Sequence, residues 1–333
     1  MKRIVFLIGI LLLAVDLSAQ EQGPFSGPVG SEGCTAIHRD SSAIVAWATG
    51  VIVDRGPQNI SYPDSPLASF GDDETIVLGP ASTYTTDAVS LGDGGSATLT
   101  FAKPICNGMG PDFAVFENGM KNNQNGGYFL ELAFVEVSSD GERFVRFPAT
   151  SLTQDTVQQG PFANTEPTMI NNLAGKHIVG YGTPFDLDEL KDSAGLDVNA
   201  VTHVRVIDVV GCVDSLYATY DAYGHKVNDP WPTNFPSSGF DLTGVAVLHQ
   251  AGEGIGDVAT SQIIVWPNPA ANILTVRLGY DCNQSGVVLY DATGRPVLSS
   301  SFVGGQATLE VGSLPIGVYM LRVGSVVKKV VKR

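Results

Sequence analysis

The sequence predicts an all-β protein: a large β-sandwich followed by a second, smaller β module. Three observations carry that reading. Segments with helical periodicity are nearly absent. The 38 Gly and 19 Pro of the 333 residues punctuate short apolar runs. One run alternates cleanly, with Ala97, Leu99 and Phe101 set against Ser96, Thr98 and Thr100, the period of a half-buried strand.

The chain opens with Lys2 and Arg3, an apolar run from Ile4 to Val15, and the small-residue stretch Leu17-Ser18-Ala19. This is the pattern of a cleavable secretory leader over residues 1–19, too short to span a bilayer, with cleavage expected after Ala19. No Cys follows the apolar run, which argues against a lipid anchor, and no other stretch is long and apolar enough to cross a membrane. The formal charge is −15; loss of Lys2, Arg3 and Asp16 with the leader leaves −16. That balance argues against nucleic acid or an anionic membrane as partner. The four cysteines are Cys34, Cys106, Cys212 and Cys282. An exported chain permits disulfides, and a bridge is expected within the set Cys34, Cys106 and Cys212. No C-x-x-C pair supports a zinc-ribbon or thioredoxin reading.

Residues 20–250 are expected to form the large sandwich. Its candidate strands are Ala43–Val53, Thr75–Leu78, Ser96–Phe101, Asp112–Phe116, Phe129–Ser138, Phe144–Pro148, His203–Val210 and Gly244–His249. They are short and separated by turn residues, the spacing of a sandwich. The run through Leu132, Phe134 and Val135 is mixed rather than alternating, and Phe185–Leu190 predicts one helical turn. Residues 251–261, with Gly252, Gly254 and Gly256, read as a linker.

Chemistry-bearing residues concentrate at strand ends and turns. Glu117, Asn118, Asp208, Asp221, Asn228, Asp229 and Asp241 would supply oxygens of the kind calcium takes, six to eight at a time, although no fixed-spacing calcium loop is present. The competing reading is that Asn, Asp and Gly stand there for backbone reasons, as turn residues. Tyr223, His225 and Trp231, with Tyr217, Tyr220 and Phe235, lie in a Pro- and Gly-rich stretch that would present aromatic faces to a ligand or pack beneath the loop. His203 and His249 sit at strand edges and read as structural. No H-E-x-x-H, G-x-S-x-G or P-loop motif occurs, and no carboxylate pair is singled out by spacing, so the chain does not read as an enzyme.

The last 72 residues, 262–333, carry the most specific pattern. They contain Trp266-Pro267-Asn268-Pro269, then Tyr290-Asp291-Ala292-Thr293-Gly294-Arg295, then Leu314-Pro315-Ile316-Gly317-Val318-Tyr319, and end on Lys328-Lys329-Val330-Val331-Lys332-Arg333. Gly in Asp-Ala-Thr-Gly and Pro-Ile-Gly suits tight turns that need positive φ, and the flanking Val, Leu and Tyr favour strands. In this order and spacing the motifs resemble the C-terminal sorting domain of type IX secretion cargo. The resemblance implies a small Ig-like sandwich, engagement of the type IX machinery through residues 262–333, and display outside the outer membrane of a Gram-negative bacterium.

The stretches Gly108–Gly119, Phe129–Gly141, Ile207–Gly211 and Asp221–Leu242 resemble an uncharacterised family of bacterial cell-surface proteins. That resemblance implies a jelly-roll, galactose-binding-like fold and an association with glycan or cobalamin uptake. Together these readings predict a displayed binding protein for a glycan or another nutrient, a cobalamin-related one among them, assisted by calcium. The alternatives are a structural or adhesive surface protein and, on the same fold, a glycan-active hydrolase.

Overall fold

The computed structural model describes residues 23–251, 263–278, 286–303, 305–323 and 326–333. The expected leader, the expected linker beyond Ala251, and Cys282 lie outside these residues. Among the described residues there is no α-helix, only strands and three short 3-10 turns.

In chain order the first strands are β1 (Ile37–His38), β2 (Ala46–Trp47), β3 (Gly50–Asp54), β4 (Val89–Ser90), β5 (Ser96–Ile105), β6 (Phe113–Glu117), β7 (Met120–Lys121) and β8 (Tyr128–Phe129). There follow β9 (Ala133–Ser138), β10 (Val145–Arg146), β11 (Thr150–Ser151), β12 (Ile170–Asn171), β13 (Tyr181–Phe185), β14 (Val201–Asp208) and β15 (Asp241–Val247). Two antiparallel sheets dominate. One runs β1-β13-β6-β15-β2 with β4 also paired to β15; the other runs β10-β9-β14-β5-β3. Successive side chains along a strand point to opposite faces. Phe113 and Val115 of β6, with Leu242, Val245 and Val247 of β15, therefore meet Ala97 and Leu99 of β5, Val135 and Val137 of β9, and Val204 and Val206 of β14 in one core.

The outer faces of both sheets are covered as well. Ala114, Phe116 and Ala246 pack under Ile37, Ile44, Trp47 and Ala81. Leu132 and Phe134 pack under Ala149, Ile170, Leu173, Val209 and Val227. Strands β6, β9 and β15 are consequently buried along their whole length. This is why the run through Leu132, Phe134 and Val135 does not alternate in sequence: a strand covered on both faces reads as a continuous apolar run.

Two sequence expectations are corrected. Residues Thr75–Leu78 do not form a strand; Glu74–Val77 is a 3-10 turn capped by Asp73, whose Oδ1 accepts from the Thr75 amide at 3.0 Å and from the Thr75 hydroxyl at 2.5 Å. Cys34, Cys106 and Cys212 are unpaired, so the expected bridge among them is absent. Strand β13 escaped detection because it contains Pro184. That residue lies beyond the two-residue pairing with β1, where a strand lacking one N–H is tolerated. The helical turn expected over 185–190 is present as a 3-10 turn, Leu187–Leu190.

The C-terminal residues form β16 (Ile263–Trp266), β17 (Ile273–Leu278), β18 (Gly286–Tyr290), β19 (Pro296–Ser301), β20 (Gln306–Glu310), β21 (Gly317–Val323) and β22 (Val326–Lys332). They pair as β16-β17-β20 and β19-β18-β21-β22 around a core that includes Leu274, Val276, Leu309, Leu289, Leu321 and Val330. The sequence motifs have visible duties. Asp291 Oδ1 accepts from the amides of Thr293 (2.9 Å) and Arg295 (3.1 Å) while Gly294 adopts φ +82°, so Asp-Ala-Thr-Gly is the β18–β19 turn. Gly317 does not need positive φ; it opens β21, and the Tyr319 hydroxyl donates back to the Pro315 carbonyl at 2.8 Å. Asn268 ties the Pro-Asn-Pro segment to the last strand, donating to the Lys329 carbonyl at 3.0 Å and accepting from the Val331 amide at 2.9 Å.

On the outer face of the second sheet, Glu136 lies opposite Arg205 on β14 and Arg146 on β10. It accepts from Arg146 Nε at 2.8 Å and from Arg205 Nε at 2.9 Å, and the two guanidinium groups lie over Phe134 and Phe144. Cross-strand opposite charges of this kind stabilise a sheet, and a buried acid with two partners contributes more than an exposed pair. Glu136→Gln should lower stability by about 1–2 kcal/mol, read as a shift of the urea midpoint with an unchanged denaturant slope.

Candidate functional site

At one end of the large sandwich the inward rows stop being apolar. Glu117 continues the row of Phe113 and Val115; Glu131 precedes the row of Ala133, Val135 and Val137; Asp208 ends the row of Val204 and Val206. Register sets Asp208 opposite Ala133 in one sheet and Glu117 opposite Leu242 in the other, and the packing of the two sheets brings these ends together. Asp93, Asp229 and Asp241 join them from neighbouring loops and from the start of β15, and all six carboxyl groups are buried.

The hydrogen bonding of these acids is uneven. Asp208 accepts from the amides of Phe240 (2.6 Å) and Gly94 (2.9 Å). Asp93 accepts from the Ile60 amide at 2.8 Å and from the Trp231 indole at 2.9 Å. Asp241 accepts from the Ser90 hydroxyl and from the Asn118 amide, the latter at 2.8 Å. Glu117 accepts from the Gly119 amide at 2.6 Å through one oxygen, and its Oε1 has no partner. Asp229 accepts from the Leu132 amide at 3.0 Å, and its Oδ1 has none. Glu131 receives no hydrogen bond from the described residues although it is only 4% exposed. Its backbone is pinned by Gly175, where φ is +83° and a Cβ would strike the Glu131 carbonyl.

Burial is the main force on every one of these groups. It holds Glu117 and Glu131 well above the usual carboxylate range, with the neighbouring Asp241 charge adding to the effect in both. Burial and the Asp93 charge raise Asp208 and Asp229 in the same way. Burial pushes Asp241 up to about 6, against donation from Ser90 and Asn118 and the Arg55 charge, which lower it. The Arg55 guanidinium is itself held by the carbonyls of Phe70, Ser90 and Gly71 at 2.7–2.9 Å.

A cleft of about 400 Å³ opens onto this end. Asn118, Glu131, Thr233 and Asp241 form its buried floor. Its walls come from the β7–β8 hairpin, the 161–164 loop and the 233–237 loop. Three phenylalanines from these segments line up: Phe129 to Phe162 at 6.4 Å between ring centroids, and Phe162 to Phe235 at 5.8 Å. Phe162 is 72% exposed.

The structure thus draws Glu117, Asn118, Asp208, Asp229 and Asp241 toward one end and leaves two of the expected oxygen donors committed elsewhere. Asp221 caps its own turn, accepting from the amides of Tyr223, His225 and Ser151, each at 2.9 Å. Asn228 is fully buried and donates to the carbonyls of Gln154 and Val157 at 2.8 Å. Among the described residues no three His, Cys, Asp or Glu side chains are disposed to hold a metal ion. Tyr223, His225 and Trp231 do not line the cleft; Trp231 spends its N–H on Asp93. His249 is structural, 2.7 Å from the fully buried Asp112. Sequence reasoning missed Glu131 and Asp93 as site residues and Phe129 and Phe162 as wall. The signal for Glu131 was its parity with Ala133, Val135 and Val137.

Residues 264–333 match the model of the secretion system C-terminal sorting domain. That match supports type IX secretion cargo and a secreted or cell-surface protein, and no helix among the described residues is long and apolar enough to cross a membrane. Among curated proteins none matches this chain. Solved structures with some likeness include the BSP domain of a biofilm-associated protein, at 11% identity and TM-score 0.19 over 72% of this chain and 48% of that one. A β-glucuronidase of Ruminococcus gnavus is similar at 12% identity and TM-score 0.22 over 91% and 45% of the two chains. Its complex with D-glucaro 1,5-lactone gives 10%, 0.21, 87% and 46%. The chain spans less than half the length of each, and at these TM-scores the likenesses assign no function.

The buried acids give stability a definite pH slope. Unfolded, they ionise near pH 4; folded, they hold their protons to higher pH. Between those limits the native state carries more protons, so stability falls as pH rises. For Asp241, moved from 3.8 to about 6, the loss is about 3 kcal/mol across that window. The Tm of the mature chain should therefore drop from pH 4 to pH 7, and Glu131→Gln should raise Tm at pH 7 by more than at pH 4.

Proposed function

We propose that this is a surface-displayed or secreted binding protein that takes a glycan in the cleft at the acidic end of its large sandwich. The observation that carries the reading is a run of phenylalanine rings, the exposed Phe162 and Phe235 and the half-buried Phe129, standing over a buried polar floor of Asn118, Glu131, Thr233 and Asp241. Sugar rings present a C–H face that stacks on an aromatic ring and hydroxyl groups that pair with carboxyls and amides. The cleft volume suits one or two sugar rings. The sorting tail supports delivery of such a site to the cell exterior.

Oligosaccharides titrated into the mature chain should bind, and Phe235→Ala or Phe162→Ala should weaken that binding about tenfold with the melt unchanged. Absence of binding by any neutral or charged oligosaccharide would move the protein to the structural or adhesive alternative.

Calcium assistance is the second reading, favoured by the unpartnered oxygens of Glu117 and Asp229. An ion would have to draw Glu117, Glu131 and Asp241 closer together, with Asn118 beside them. A rise in Tm of about 5 °C in millimolar calcium over chelator supports it, and coincident melts remove it.

A further inference from the structure

The cleft floor is acidic without a matching cation. Glu131 and Asp241 reach the cleft, with Glu117, Asp229 and Asp208 behind them and Asp93 beyond. The charged groups of opposite sign that face this set are Arg55, already bound to three backbone carbonyls, and Lys121 at the rim, whose Nζ sits 5.8 Å from the Tyr128 ring centroid. Glu131 is the telling member. It is almost wholly buried, it lines the cleft, and no described residue donates to it. A carboxyl left with little water and no protein donor is costly, and the position becomes favourable when a donor arrives through the cleft. A charged donor is worth more there than a neutral hydroxyl. The phenylalanine wall suits the same ligand, since the faces of aromatic rings attract cations as well as sugar C–H groups.

We infer that the cleft selects a sugar bearing a free, protonated amine, with the ammonium group seated on Glu131 and Asp241. This rests on the glycan-binding reading above and adds the ligand class. Acetylation of the amine removes the positive charge and two of its donors and adds bulk, so the N-acetylated sugar is the discriminating control. Seating an ammonium on the floor favours the ionised carboxyls, so binding releases protons from Glu131 or Asp241. The groups facing Asp241 are Ser90 on β4, Asn118 and Glu117 at the end of β6, Glu131 before β9, and Arg55 after β3.

The test is calorimetric titration of the mature full-length chain with a glucosamine hexamer and with an N-acetylglucosamine hexamer, in chelator at about pH 6.5. The expected result is at least about tenfold tighter binding of the free-amine oligomer, with proton release seen as a buffer-dependent heat. Glu131→Gln, a neutral isostere whose folding is checked by its melt, should abolish the preference; Asp241→Asn is the second variant should the first not fold. Equal binding of the two oligomers overturns this inference and leaves the glycan reading standing. A preference that survives both substitutions also overturns it, because the amine then sits elsewhere. Binding of neither oligomer overturns the inference, and the glycan reading with it once neutral oligosaccharides of other composition also fail.

Discussion

Strands β6, β9 and β14 carry their apolar side chains into one shared core, and carboxylates stand at one edge of it: at the end of β6, at the end of β14 and just before β9. Register within each sheet sets Asp208 beside the start of β9 and Glu117 beside the start of β15, and the face-to-face packing of the two sheets gathers Glu117, Glu131 and Asp208 at one end. A side chain that continues an inward row cannot turn outward without flipping every residue before it to the wrong face. The hydrophobic core therefore holds the acids in place. Their desolvation is the continuing cost of that placement, eased where Gly94, Phe240, Leu132 and Gly119 donate amides and uneased at Glu131.

The same constraint explains the division of labour around the site. The two sheets and their covering layers form a rigid base, with β6, β9 and β15 buried on both faces. The cleft walls come from short segments that cross this base: a two-residue-strand hairpin and two loops. Rigid strands position the carboxyl floor, and loops supply the aromatic rings. Such a base allows loop sequence to vary while the floor stays put.

The C-terminal residues follow a separate logic. Their core is made of side chains from β16 to β22 alone, and their motifs act on their own backbone: Asp291 and Gly294 in a turn, Tyr319 on Pro315, Asn268 on the last strand. The Pro-Asn-Pro segment and the Lys-rich end sit far apart in sequence yet meet as partners. A recognisable order of short motifs in this region is thus the imprint of one small sandwich closing on itself.

Much was written in the chain. Turn chemistry and short apolar runs specify the all-β class, and the motif order of residues 264–333 specifies the sorting domain, because both depend on local backbone needs and on neighbours within a few residues. Glu117, Asp208 and Asp241 were legible as acids at strand ends. Other features only the tertiary structure decided. Thr75–Leu78 has strand-forming residues, yet the Asp73 cap curls it into a turn. Asp221 and Tyr223 look like site residues, yet the amides of their own loop and of Ser151 consume the Asp221 carboxylate. Glu131 looks like one more polar residue, yet the packing of the two sheets sets it near Asp241 with no donor among the described residues. Whether a buried carboxyl such as Asp208 or Asp229 is satisfied depends on partners 32 to 114 residues away, and a one-dimensional pattern does not carry that information.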